Sequence, residues 1–264
     1  MTSPLVLSDL RDGVLRLTLN DPATRNSLSR AMMAALREAL DAAKRDGKTR
    51  VIVIGAEGPA FSSGHNLKEI TAHRSDKDAG AGFFSKLMDE CVQLMQAVVR
   101  HPRPIIAEIN TTATAAGCQL VASCDLAIAS EQAKFATPGV NIGLFCSTPM
   151  VALSRDVSRK HAMEMLLTGD LIDAHEAARI GLVNRVVPTQ LLHGVVDELA
   201  RKIASKSLAT VKIGKAAFYR QAEMQLDVAY AYAARVMVEN LLARDAEEGI
   251  RAFIDKRPPV WEDR

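Results

Sequence analysis

The spacing of hydrophobic residues along the chain changes repeatedly, and each change marks an element. Leu15, Leu17 and Leu19 alternate with Val14, Arg16 and Thr18, the period-2 pattern of a half-buried strand. Asp12-Gly13 just before it is a turn signal, so "LVLSDLRDGVLRLTLND" is expected to form a hairpin. In "SRAMMAALREALDAAKRD" the period becomes helical, and Ser29 is placed to cap the helix. "RVIVIGAE" is continuously apolar, as in a strand buried on both faces. "GPAFSSGHNLKEI" follows as a Gly/Ser-rich loop. "TAHRSDKDAGAG" is polar and predicts a mobile loop.

"FFSKLMDECVQLMQAVVR" returns to helical spacing, and "PRPIIAEIN" predicts a strand. The small residues from Asn110 to Asp125 predict a turn into a helix, and "LAIAS" and "KFATP" predict short strands. Beyond them the alternation fades. "STPMVALSRDV", "RKHAMEMLLTG", "AHEAARIG", "LLHGVVDELARKIAS" and "LATVKIGKAAFYRQAE" all predict helices, and "LDVAYAYAARVMVENLLARDAEEGIRAFIDKR" predicts one long helix. The chain is thus expected to be α/β over residues 1–188 and all-helical over 189–264. The boundary falls near Pro188 without a flexible linker. Apolar residues on more than one face of the last helices predict buried contacts between copies.

With 264 residues, 48% of them hydrophobic, the chain can bury a sizeable core. A formal net charge of +2 and 4% aromatic residues argue against a nucleic-acid partner, and no apolar run is long enough to span a bilayer. The cysteines Cys91, Cys118, Cys124 and Cys146 have no metal-ligand spacing and are expected as reduced core thiols; no metal is expected. The amino end lacks the marks of a signal or transit peptide, so a cytoplasmic location is expected.

Chemistry is suggested by two segments. "FSSGHNL" follows a buried strand, and "ATAAGCQL" leads from a strand into a helix. Free amides at a helix start carry partial positive charge. Two such segments brought together can hold one carbonyl oxygen, whereas apart they would only permit tight packing.

Several stretches make the chain similar to a known family. "RNSLSRAMM", "AFSSGHNLKE", "PRPIIAEIN", "TAAGCQLVASCDLAIAS", "FATPGVNIGL", "LTGDLIDAHEAARIGLVNRVV" and "EGIRAFIDKRPPVW" occur in the order typical of the crotonase (enoyl-CoA hydratase/isomerase) family. The resemblance covers nearly the whole chain, and "ATAAGCQLVASCD" and "KRPPVW" are closest to one subgroup. It implies a spiral of ββα units with a C-terminal helical region that drives formation of a homo-trimer or hexamer. It also implies an acyl-CoA thioester as ligand, with CoA as the carrier part of the substrate and no separate cofactor. The oxyanion donors carried over by motif are the backbone N–H groups of His65 and Ala116. CoA is expected to meet Ala23, Thr24 and Arg25, the segment Gly64, His65, Asn66, Leu67 and Lys68, the pocket glycines Gly117 and Gly139, and Lys256.

The chain also departs from the family. Hydratases of the family use two glutamates, which match Gln119 and Gly139 here. An amide cannot titrate near neutral pH and glycine has no side chain, so hydration by the usual route is expected to be inefficient. Ala116 and Thr111 replace usual glycines and narrow the space. Among possible substitutes for the acids, His65 is the best titratable candidate. Glu69 and His73 are expected in solvent, Glu108 as a paired structural acid, Asp125 as a cap or as a residue that positions the next strand, and Cys146, Asn141 and Ser147 near the acyl chain. Three readings follow: an acyl-CoA enzyme with another thioester reaction (isomerase, hydrolase or decarboxylase), an acyl-CoA-binding protein without fast chemistry, and an interaction protein built on the fold.

Overall fold

The computed structural model describes residues 3–264. Strands β1 (Val6–Arg11) and β2 (Val14–Leu19) form the expected antiparallel hairpin, with Asp12 and Gly13 both at positive φ. A two-residue turn of the I′ kind needs this at both positions. Helix α1 (Arg30–Arg45) starts where expected: Ser29 Oγ accepts the Met32 N–H at 3.1 Å. The next unit is β3 (Val51–Ala56), β4 (Ala60–Ser62), α2 (Leu67–Ala72) and α3 (Ala81–Val99). Then come β5 (Ile105–Ile109), β6 (Thr112–Thr114) and α4 (Ala116–Ser123). The third unit contains β7 (Leu126–Ser130), β8 (Lys134–Ala136), α5 (Pro149–Asp156) and α6 (Arg159–Thr168). The chain continues through β9 (Ile172–Asp173), α7 (Ala174–Ile180) and β10 (Arg185–Val187). It ends with α8 (Leu192–Ala204), α9 (Leu208–Gln221), α10 (Leu226–Leu241) and α11 (Arg244–Ile254).

The strands sort into two sheets, ordered β1-β2-β3-β5-β7-β10 and β4-β6-β8-β9. In three consecutive units the first strand enters the larger sheet and the second enters the smaller one. Pairing within each of these runs is parallel. That repetition is the expected spiral of ββα units. It stacks because each unit leaves an apolar face for the next to cover. Leu17, Leu19, Ile52 and Ile54 lie fully buried against α1 and α3. The other face of the sheet, with Val51, Val53, Ile106 and Ile128, is covered by Leu192, Val196 and Ala200 of α8.

Four strands escape the sequence pattern: β4, β6, β9 and β10 have at most three residues, too few to show a period. The segment 71–82, expected as a mobile loop, forms a compact connection. The Asp78 carboxylate accepts the N–H groups of Gly80 and Gly82, and His73 stacks on Phe83 with ring centres 3.7 Å apart. The predicted long C-terminal helix is broken at Leu242–Ala243. Just beyond the break, buried Asp245 accepts the amides of Glu262 and Asp263, so the returning tail fixes where α11 begins.

The helical region is tied to the core by one polar cluster. Asp125 accepts the Ile105 N–H at 2.6 Å, Lys215 Nζ at 2.6 Å and the Tyr219 hydroxyl at 2.9 Å. Its carboxylate therefore joins α9 to β5. Glu108 is the expected structural acid: Arg16 Nη1 donates to it at 2.8 Å, on the α8 side of the sheet.

Candidate functional site

The site is built around Gly64. Its φ is +85°, and a methyl added there would lie 2.8 Å from Ala115 Cβ and 3.1 Å from the Ala116 nitrogen. The loop after β4 and the start of α4 therefore converge, as the two-segment reading requires. Gly117 holds the contact on the other side: a Cβ there would fall 2.4 Å from the Ser62 carbonyl oxygen. Only glycine lets the helix start approach the strand this closely. As the first residue of α4, Ala116 has no intrahelical acceptor for its N–H. Among the described residues neither its amide nor that of His65 donates to a protein acceptor.

Ala115, just ahead of the helix, was missed from sequence. It sits at φ 51°, ψ −121°, a conformation that disfavours a side chain. Its N–H donates to Ala136 and its carbonyl accepts Gln119 N–H, so the surroundings hold the strain. Asn26 was missed as well. It is fully buried and at positive φ; its Nδ2 donates to the carbonyls of Glu57 and Ala60, and its Oδ1 accepts the Asp21 amide. This clamps the Ala23–Arg25 loop to β4, where the Ser63 N–H reaches the Arg25 carbonyl at 3.1 Å. A run of small residues and a lone Asn carry no period, so neither role shows in the pattern.

These segments open on a cavity of about 580 Å³. Ser63, His65, Ala115 and Ala116 line its polar end. Leu67, Ile70, Phe84, Leu87, Met88, Ile142, Leu144 and Phe145 form an apolar wall, and Gly139, Asn141, Cys146 and Ser147 complete it. Of the candidate residues, His65, Leu67, Ala116 and Gly139 face this space, with Gly64 and Gly117 packed behind. Asn66 instead caps α2, accepting the N–H groups of Lys68 and Glu69. Ala23, Thr24, Arg25 and Lys68 lie exposed beside the cavity rather than in its wall.

Three candidate residues lie away from the cavity wall. Gln119 does not line the cavity; it is buried one turn inside α4, with Oε1 3.9 Å from Cys91 Sγ. Thr111 does not narrow the cavity either: it lies between β5 and β6, with its hydroxyl donating to Asn110 Oδ1. Lys256 stands at φ 52° where the chain turns back along α11, exposed and outside the cavity wall.

The family's second acid position is closed by local packing. A Cβ at Gly139 would meet the Leu144 carbonyl oxygen at 2.7 Å and Cys146 Sγ at 2.8 Å. Among the described residues lining the cavity none is aspartate or glutamate. Burial raises the Cys146 thiol, partly offset by the Gly139 N–H, and pushes Cys91 up to about 11 and Cys118 to about 12. These thiols are protonated and unreactive near neutral pH. His65 is the remaining titratable side chain here that is neutral near pH 7. Burial lowers it below the usual imidazole value, against smaller opposing effects of the Leu28 carbonyl and Glu69. Among the described residues no group of three or more His, Cys, Asp and Glu side chains is placed to hold a metal ion, and no helix is long and apolar enough to cross a membrane.

The fold and the convergent amides are those of one family, and the comparison with known proteins agrees. The enoyl-CoA hydratase/isomerase family description matches residues 9–264, and the chain belongs to that family. Within it, the chain is 49% identical over 251 residues to the enoyl-CoA hydratase domain-containing protein 3, mitochondrial, of Rattus norvegicus, covering 95% of this chain and 82% of the relative. The crystal structure of the human enoyl-CoA hydratase domain-containing protein 3 superposes with a TM-score of 0.93 at 47% identity, covering 97% of this chain and 100% of the other. A Mycobacterium smegmatis enoyl-CoA hydratase structure gives 0.94 at 48%, covering 98% and 99%. The expected cytoplasmic location is overturned by these names: the rat relative is called mitochondrial, as are its mouse and human counterparts.

Proposed function

We propose that this chain binds an acyl-CoA thioester with its carbonyl oxygen at the His65 and Ala116 amides and its acyl chain along the Phe84–Phe145 wall. We further propose that it is a poor hydratase. The observation that supports this most is the approach of Gly64 to Ala116, which no other residue type at 64 would allow. Two aligned amides at an oxyanion are worth roughly 10²–10³ each in rate for enzymes of this logic. The missing pair of acids removes water activation and protonation together, on the order of 10²–10⁴ for each lost group.

The apolar faces left on the helical end support assembly into a trimer or a pair of trimers. Leu226, Tyr230, Leu242, Phe253 and Ile254 are each more than 70% exposed in the single chain, more apolar surface than a monomer usually leaves in one region.

The test is a thermal shift with hexanoyl-CoA, followed by a crotonyl-CoA hydration assay on the wild type and on Gln119→Glu. Ligand at a hundredfold excess over Kd adds about 2.7 kcal/mol of stability, a clear shift. Hydration is expected to stay slow in both proteins, because residue 119 lies outside the cavity and residue 139 has no room for a partner acid. A folded protein with no shift at millimolar ligand removes the binding proposal, and brisk hydration by the wild type removes the second part.

A further inference from the structure

Arg74 is the one charged side chain among the described residues of the cavity wall. Its guanidinium lies 5.9 Å from the centre of the Phe84 ring, and among the described residues it has no carboxylate partner. The acids nearest in sequence are engaged elsewhere: Asp76 Oδ2 lies 2.7 Å from His73 Nδ1, and Asp78 accepts the amides of Gly80 and Gly82. The position of the charge is set by α2. Leu67, Ile70 and Arg74 recur at helical spacing, so one face of α2 and of the turn His73–Ser75 runs along the cavity. His65 stands just before that helix and Arg74 just past its end. At about 1.5 Å per helical residue, Arg74 lies roughly 10 Å farther along the wall than Leu67. The wall thus runs from two free amides, over Leu67, Ile70 and Phe84, to a positive charge. The carrier's phosphates have other cations at the amide end. The Ser63 N–H on the Arg25 carbonyl holds the Ala23–Arg25 loop there, and Lys68 lies beside Leu67 but outside the wall.

We propose that Arg74 selects acyl chains that end in a carboxylate: the cavity takes the CoA thioester of a dicarboxylic acid, with the distal carboxylate on the Arg74 guanidinium. The proposal rests on the acyl-thioester reading above, which puts the other end of the chain at the His65 and Ala116 amides. A guanidinium presents paired N–H donors that match the two oxygens of a carboxylate. Arg74 is exposed while the cavity is empty, so its charge is hydrated and costs nothing there. A chain ending in a methyl group would strip that water and supply no acceptor, whereas a carboxylate replaces the water with a charge-assisted pair. The methylenes between the two ends pack on Leu67, Ile70 and Phe84. Selection therefore comes from rejecting the plain chain as much as from holding the charged one. Arg74 touches no reacting atom; it is a specificity-determining residue.

The experiment measures binding of CoA, hexanoyl-CoA and adipoyl-CoA by calorimetry to the wild type, Arg74→Met and Arg74→Glu. The two thioesters have acyl chains of the same carbon number and differ only in the terminal carboxylate. The wild type is expected to bind adipoyl-CoA ~10-fold more tightly than hexanoyl-CoA at low salt, with the preference shrinking as salt is added. Arg74→Met should abolish the preference and leave CoA and hexanoyl-CoA affinity near that of the wild type. Arg74→Glu should reverse it, since a like charge then faces the carboxylate. Equal affinities in the wild type, or a preference that survives in Arg74→Met, overturn the proposal. Loss of CoA and hexanoyl-CoA affinity together in folded Arg74→Met overturns it as well, because the cation would then be meeting the carrier's phosphates. A wild type that binds hexanoyl-CoA without preference overturns this inference and leaves the acyl-thioester reading intact; a wild type that binds no thioester overturns both.

Discussion

Two enclosed histidines, His65 and His101, sit in opposite circumstances. His101 is 1% exposed, at the end of α3, and both ring nitrogens are occupied. The Arg103 N–H donates to Nδ1 at 3.1 Å, and Nε2 donates to the Leu40 carbonyl at 3.0 Å. His65 has one partner and one empty nitrogen. Burial pulls both imidazoles below their usual value, His101 to about 4. The charge state is thus alike, and what separates the two rings is whether the protein completes their hydrogen bonding. One socket is closed by hydrogen bonds, and the other is closed by packing, with one ring nitrogen left unpaired.

The harshest way to break the comparison is to disturb the backbone that makes the His65 side a site. Gly64→Val adds atoms where Ala115 Cβ, the Ala116 nitrogen and the Thr114 oxygen already lie within about 3 Å, at a φ of +85°. Overpacking and the left-handed conformation together are expected to cost roughly 3–5 kcal/mol. Thermal unfolding should show a large drop, and any folded fraction should no longer bind hexanoyl-CoA. An unchanged midpoint with intact binding would mean that the two segments do not need this approach.

The next test acts on the closed socket. The folded His101 value of about 4 is depressed relative to the free imidazole value of 6.5. Its contribution is therefore fully present above pH 6.5 and is lost as pH falls from there toward 4, by about 3 kcal/mol in all. Urea unfolding of wild type and His101→Gln across this window isolates the contribution, because the carboxylates are common to both. The difference between the two proteins should shrink as pH falls. Parallel curves would show that burial does not hold the ring neutral.

Much of this molecule was legible in advance, for physical reasons that also explain what was not. The hairpin at Asp12-Gly13, the Ser29 cap and the buried strand at Val51–Ala56 announce themselves through turn chemistry and period. The convergence at Gly64 and Ala116 was readable only through the family motifs, since small residues at a helix start serve equally well for tight packing. The closure of position 139 was not readable: the glycine is obvious, but that Leu144 and Cys146 fill its side-chain space depends on how residues 139–146 fold back. The empty nitrogen of His65 was out of reach for a similar reason, because its one partner is a carbonyl thirty-seven positions away.

The smallest effect concerns Ala115, and it separates strain that serves the site from strain that is merely tolerated. At φ 51°, ψ −121° a residue with a Cβ costs roughly 1–3 kcal/mol. Ala115→Gly removes that cost but gives the unfolded chain more freedom, worth roughly 0.5–1 kcal/mol in the opposite direction. The net expectation is a stabilisation of about 1 kcal/mol, seen as a modest rise in the urea midpoint with an unchanged slope. The backbone path is pinned from both sides, by the Ala115 N–H on Ala136 and the Gln119 N–H on the Ala115 carbonyl. The direction of the Ala116 amide should therefore persist, and hexanoyl-CoA affinity should stay near that of the wild type. A more stable variant with weakened binding would show instead that the methyl of Ala115, which lines the cavity, shapes the place where the thioester lies.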